Sequence, residues 1–188
     1  MRTDRLARLV VLVLVALAST PSAASAAEYY LKLPGVEGES AAIRHEREID
    51  VLSFSWGLAV ESTPQAGRVR FTDLTVVKRI DASSPRLFQA AATGERFRSA
   101  RLAVRRPGGR APFDTLDYCM EEVSLTSYRP SGGPGDALPT EEVAFRYGTF
   151  SQQYHVQRPD GSAGPSIFAG WNVAANRLLP AFPAACGS

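Results

Sequence analysis

Between residues 50 and 60 apolar and polar positions alternate. Leu52, Phe54, Trp56, Leu58 and Val60 share one parity, with Val51, Ser53 and Ser55 on the other. A two-residue period predicts a half-buried strand. A second strand is predicted over residues 68–80, where the apolar parity switches from Val69/Phe71 to Leu74/Val76. Such a switch predicts a bulge, or passage between two faces of a barrel. A third strand, over residues 98–105, places Ala100, Leu102 and Val104 together. Two longer runs, residues 113–128 and 141–157, also change parity. The first does so at Glu121-Glu122. The second does so at Gly148, with Val143, Phe145 and Tyr147 before it and Phe150, Tyr154 and Val156 after it. Glycine at a crossover fits a bend at a barrel corner, and long strands bent midway let a small antiparallel sheet close on itself.

One helix interrupts the strands. Ser84 suits the N-cap, Pro85 the first helical position, Leu87, Phe88 and Ala91 form an apolar stripe, and Gly94 supplies the stop. At about two and a half turns it depends on tertiary packing. Turn chemistry recurs at Pro107-Gly108-Gly109, Ser131-Gly132-Gly133-Pro134-Gly135 and Pro159-Asp160-Gly161. The pattern predicts a mainly β fold: one antiparallel two-sheet β-barrel with one flanking short α-helix.

The N-terminus reads as an address. Arg2, Arg5 and Arg8 precede ten apolar residues, 9–18, and Ala24-Ser25-Ala26 offers a small-residue cleavage site. The apolar run is shorter than the roughly 20 residues of a membrane span, so no stable span is expected. The expected division is a secretory signal peptide at 1–26, the barrel domain at 27–180 and a C-terminal tail at 181–188. The whole chain has 21 basic against 19 acidic residues, a formal charge of +2. Three Arg and one Asp leave with the signal, so the exported protein is neutral, 18 against 18. No global basic character is left to recommend a nucleic-acid partner. The local arginines (Arg96, Arg98, Arg101, Arg105, Arg106, Arg110) read as a solvated strand face, and the scarcity of lysine, only Lys32 and Lys78, as compositional bias.

Export also sets the context of the two cysteines. In an oxidising compartment Cys119 and Cys186 permit one bridge, closing a loop of 67 residues. In the loop-entropy model that bridge contributes about 4 kcal/mol, and it would tie the Pro/Ala-rich tail to the body. The alternative is two free thiols, one in a strand and one on a frayed end.

Catalytic chemistry is hard to assemble from the remainder. The chain has two His, His45 and His155. The first lies in a charged stretch and reads as solvated, and the second reads as a sheet-surface residue. No nucleophile elbow, zinc-ligand spacing, phosphate-binding loop or dinucleotide fingerprint is present. Glu121-Glu122 and Glu141-Glu142 are strand neighbours pointing to opposite faces, so neither pair can share a proton. No catalytic residue, cofactor or metal site is expected.

Five short motifs occur in order. They are residues 30–40 (YLKLPGVEGES), 49–57 (IDVLSFSWG), 81–85 (DASSP), 138–148 (LPTEEVAFRYG) and 170–177 (GWNVAANR). The series resembles the haemolysin-coregulated protein (Hcp) family, the tube proteins of type VI secretion systems. The resemblance implies a two-sheet barrel with a packed helix, a homohexameric ring able to stack into a tube, and a non-catalytic structural role. Its further partners would be a secreted effector or a cell-surface protein. The tube builders of that family assemble in the cytoplasm without a cleavable leader, and here this chain departs from the pattern. The alternatives are a monomeric extracellular binding module on the same barrel and a secreted hydrolase. Gly35 and Gly38 are expected at tight turns, Trp56 in the core and Gly57 at a strand end.

Overall fold

A computed structural model describes residues 26–61, 68–106, 113–160 and 162–186. The signal peptide (but for Ala26), the Pro107-Gly108-Gly109 turn with Arg110, Gly161 and the last two residues of the tail lie outside the described residues. Twelve strands, one α-helix and one 3-10 turn follow in order: β1 Glu28–Lys32, β2 Ile49–Val51, β3 Ser53–Ser55, β4 Leu58–Glu61, β5 Arg68–Phe71, β6 Leu74–Arg79, α1 Ser84–Thr93, β7 Arg96–Arg106, β8 Phe113–Ser131, β9 Thr140–Arg146, β10 Thr149–Gln157, β11 Ala163–Asn172, β12 Arg177–Leu178 and the turn Ala184–Cys186.

All strand pairings are antiparallel. One wing runs β12-β11-β10-β8-β7-β1-β2, and a second runs from β8 through β9 and β6 to β3. The 19-residue β8 serves both wings. Its first part pairs with β10 and its last part with β9, while β7 pairs along much of it. The parity change anticipated at Glu121-Glu122 is the hinge: Glu122 has φ 56°, in the left-handed region. Beside it, a Cβ on Gly148 would crowd the Glu122 side chain, 2.3 Å from Oε2 and 3.1 Å from Cβ, so the glycine leaves Glu122 room at that corner.

The hydrogen-bonded path is open, in contrast to the closed barrel expected from the sequence. Two of its three ends, β2 and β3, are consecutive in the chain, so the covalent chain itself spans the seam between them. Leu52 sits between them and donates its N–H to Val77 O at 2.8 Å. The same seam corrects the single strand anticipated over residues 50–60. Ile49 and Val51 are buried on one side of Leu52, which is itself 43% exposed. Past it, Phe54 and Trp56 pack against the core instead. A three-residue strand on each side lets the segment turn over between partners, which strict alternation conceals.

The core lies between the wings: Leu31, Ile49, Leu74, Val76, Leu102, Met120, Val123, Val143 and Phe145, with Tyr118 and Phe150 at its aromatic end. The break between β5 and β6 matches the parity switch read at Phe71/Leu74. Helix α1 closes one side through Leu87 and Ala90, both fully buried. Two details of the predicted helix differ. The N-cap position belongs to Ser83, without a side-chain cap bond, because its Oγ donates to Asp81 instead; Ser84 Oγ accepts from Asp81 N–H and donates to Glu141. Phe88, assigned to the buried stripe, is 60% exposed and touches Tyr128 edge-on. Gly94 caps the C-terminus in the left-handed conformation, as anticipated.

Candidate assembly surface and buried polar clusters

β4 and β5 form a separate two-stranded hairpin that shares no backbone ladder with β10–β12 among the described residues; it stands beside their core-side face, and Val69 N–H donates to Asn176 Oδ1 in the β11–β12 turn at 3.4 Å. Between hairpin and wing lies an apolar groove of about 240 Å³, lined by Trp56, Leu58, Val69, Phe71, Trp171 and Leu178. Leu58, Val60, Tyr154, Ile167 and Leu178 are exposed there or nearby. Register explains the wing's share: Leu178 faces Trp171, and Ile167 faces Tyr154. These residues continue the inward parity beyond the point where the chain has a second layer to cover them. Contiguous exposed apolar surface of this kind marks a contact site. Trp56, expected in the core, stacks on Phe71 and packs against Phe150, partly buried at the groove floor.

On the outer face, β7, β8 and the 37–48 loop carry charge. His45 is 1% exposed, which corrects its reading as a solvated residue. Its Nδ1 lies 2.6 Å from Glu48 Oε2 and its Nε2 3.1 Å from Asp114 Oδ1. The ring stacks on Tyr30 with centroids 4.2 Å apart. Burial alone would lower the His45 pKa, but the two carboxylates outweigh it and hold it above its ordinary value. Asp114 is held well below the usual carboxylate range: burial opposes this, and His45 and Arg105 overcome it. Arg105, read as part of a solvated face, is buried too. Its Nε donates to Asp114 at 3.1 Å and its guanidinium reaches Ile43 O at 2.9 Å. Arg101 joins Asp117 at 2.8 Å, whereas Arg96, Arg98 and Arg106 are exposed as expected. His155 bridges Asp117 and Ser166 near the sheet surface.

This cluster anchors the loop over residues 37–48. Gly38 brings the loop against β2: a Cβ there would lie 2.4 Å from Glu48 O. The preceding turn needs Gly35 at φ 77°, closed by Val36 N–H to Leu33 O.

A second cluster sits on the core side beneath α1. Lys78, set aside as compositional bias, is completely buried. Its ammonium donates to Glu141 Oε1, Asp81 Oδ1 and Arg79 O, each at 2.8 Å. Tyr128 donates to the other Glu141 oxygen at 2.7 Å, and burial followed by Glu141 pushes its pKa up to about 12. Glu142 faces outward toward Arg129, so the Glu141-Glu142 pair divides between faces as parity required. Glu121 reaches Thr149 and Glu122 is exposed at the hinge. These clusters consist of cations matched to carboxylates, an arrangement suited to anchoring elements. Among the described residues, no group of three or more His, Cys, Asp and Glu is placed to hold a metal. No helix there is long and apolar enough to cross a membrane. Cys119, fully buried on β8, and Cys186 of the terminal turn stand adjacent, with Cα atoms 5.8 Å apart.

The family model described as "Type VI secretion system effector, Hcp" matches residues 30–154. Protein hcp1 of Pseudomonas aeruginosa is 32% identical over 158 residues, spanning 80% of this chain and 98% of that protein. A solved type six secretion system protein superposes with TM-score 0.76 at 31% identity, covering 82% of this chain and all of the other. The crystal structure of Hcp1 from Salmonella typhimurium gives 0.72 at 33% identity, with the same coverage.

Proposed function

This chain belongs to the Hcp family of type VI secretion proteins, as a non-catalytic structural member, and from that premise we propose that it is exported by a cleavable leader and assembles into closed rings. The division that accompanies this reading is a signal peptide at 1–26, an Hcp-like domain at 27–180 and a tail at 181–188. The observation that supports ring assembly is coverage: the solved relatives match this chain over their whole length, and 82% of this chain is matched; export rests on the N-terminal sequence pattern alone.

A ring of identical subunits needs a heterologous contact that closes by rotation. The hairpin β4–β5 and the apolar groove beside it supply two complementary parts of such a contact. Six copies per ring is the expected number, with stacked rings as the route to a tube. Light scattering behind size exclusion tests this directly. A mass near six subunits is expected, and a strict monomer across micromolar concentrations overturns it. Leu58→Asp, placing a charge on a residue 54% exposed, shifts the population toward monomer without unfolding the domain.

A monomeric extracellular binding module is the second reading, favoured by the leader-like pattern of the N-terminal sequence together with the adjacent cysteines. Export is tested by N-terminal sequencing of protein from the culture medium. A start near Ala27 is expected, whereas an intact Met1 found only in cells overturns export and leaves the family assignment standing.

A further inference from the structure

The outer face carries an ordered row across five strands. Lys32 on β1 faces Arg101 on β7, which faces Cys119 on β8, then Ser151 on β10 and Gly170 on β11. From Cys119 to Gly170 the row holds only small side chains, so it forms a shallow trough running across the strands.

The chain after β12 lies along that trough. Leu179 donates its N–H to Gly170 O at 3.0 Å. A Cβ on Gly170 would stand 2.9 Å from Ser151 Cβ and from Phe168 Cζ and 3.1 Å from Leu179 Cδ1, so the glycine keeps this part of the row low where the segment crosses it. Phe182 then meets Phe168 edge-on, centroids 6.1 Å apart. The terminal turn arrives over β8 and β7, with Cys186 beside Cys119 and Ser99 Oγ donating to Ala185 O at 3.5 Å. That last bond is at the limit of a hydrogen bond, and Pro180 and Pro183 have no N–H to offer. Among the described residues, the hydrogen bond that holds the far end is long, and Cys186 is the one buried residue of the terminal turn. Beneath the segment lies a polar pocket of about 230 Å³. Phe182 and Cys186 form one side of it, and Arg101, Asp117 and His155 the other.

We propose that residues 179–186 are a strap whose closure over this trough is set by the redox state of Cys119 and Cys186. Oxidised, the pair locks the strap down and walls the polar pocket. Reduced, the far end lifts and presents Arg101, Asp117 and His155 to solvent. Closure transfers two electrons and two protons from the thiols to the disulfide of a thiol–disulfide oxidoreductase, which becomes a dithiol. Opening is the reverse. A thiolate of a dithiol reductant attacks Cys186 Sγ and expels the Cys119 thiolate. The reductant's second thiol then resolves the mixed disulfide, leaving both cysteines protonated. The strap is a property of one subunit and stands independently of ring formation.

Hydrogen exchange followed by peptide mass spectrometry, on the purified protein with and without dithiothreitol, tests this. Reduction is expected to lower protection at the amides of residues 179–186 by about tenfold or more, with β7, β8 and β10 unchanged. Cys186→Ser should show the open strap with or without reductant. The proposal is overturned by two alkylatable thiols in the unreduced protein, by cysteines bridged between chains, or by strap protection unchanged on reduction. A Cys186→Ser strap as protected as the oxidised native one also overturns it. So does loss of protection across the whole sheet, which would make the bond a staple of the fold rather than a latch.

Discussion

Lys78 and His45 are both enclosed nitrogen bases, but the structure surrounds them differently. Lys78 lies on the core side beneath α1, with acceptors at 2.8 Å from Arg79, Asp81 and Glu141. Its three N–H donors are fully used, and the cluster contains no imidazole. His45 lies on the outer face between two carboxylates. A neutral imidazole has one N–H, so one ring nitrogen would point a lone pair at a carboxylate; both contacts are satisfied only by the imidazolium. The first cluster is therefore a fixed rivet between β6, β9 and the start of α1. The second is a clasp on the 37–48 loop whose strength follows the protonation of one ring.

The largest break in this comparison comes from Lys78→Met. It leaves Glu141 buried without its cation and should cost about 3–5 kcal/mol, measured by urea denaturation. Adding Glu141→Leu removes the stranded charge and should recover most of the loss. A double variant as unstable as the single one would mean that packing, not charge, dominates there.

His45→Gln should cost about 1–3 kcal/mol, since it leaves two buried carboxylates with a weaker donor. The pH dependence sharpens the contrast. The folded-state pKa of His45 is raised, so its contribution is complete below the ordinary value near 6.5 and is lost as pH rises through the raised one. Asp114, lowered, contributes above the ordinary carboxylate range and loses that contribution only in acid. Urea midpoints should fall from pH 6 to pH 9 in the native protein and be flatter in His45→Gln, while Lys78→Met keeps the native slope. The smallest effect belongs to Tyr128→Phe. It removes one hydrogen bond to Glu141 and should cost about 1 kcal/mol with no change in pH slope.

Much of this architecture was legible in the periodicity, and the places where it was not share a cause. The parity changes at Phe71/Leu74, Glu121-Glu122 and Gly148 were visible because several apolar residues stand on each side of the shift. The shift at Leu52 was hidden. β2 and β3 have three residues each, and a strictly alternating sequence looks the same whether or not the strand turns over. The exposed Phe88 and the groove beside the hairpin were missed for another reason. Apolar parity reports which side a residue faces and is silent on whether another layer covers that side.

Buried charge was the least legible feature. Lys78 follows Leu74 and Val76 at the inward spacing, which is the local sign of its burial. His45 offered none, because its partners Glu48 and Asp114 come from its own loop and from a strand 69 residues away.

The sequence by itself determined the class of fold, the bends of the long strands and the helix stop. It did so because backbone period, turn chemistry and left-handed glycine positions are local properties of the chain. Its five ordered motifs also led to the family. Only the tertiary structure decided that the sheet path stays open at Leu52, which charges are buried against which partners, and that the tail crosses the row from Gly170 to Cys119. Those depend on pairing across long separations, where the desolvation of a Lys or His is offset only by groups the fold itself brings together.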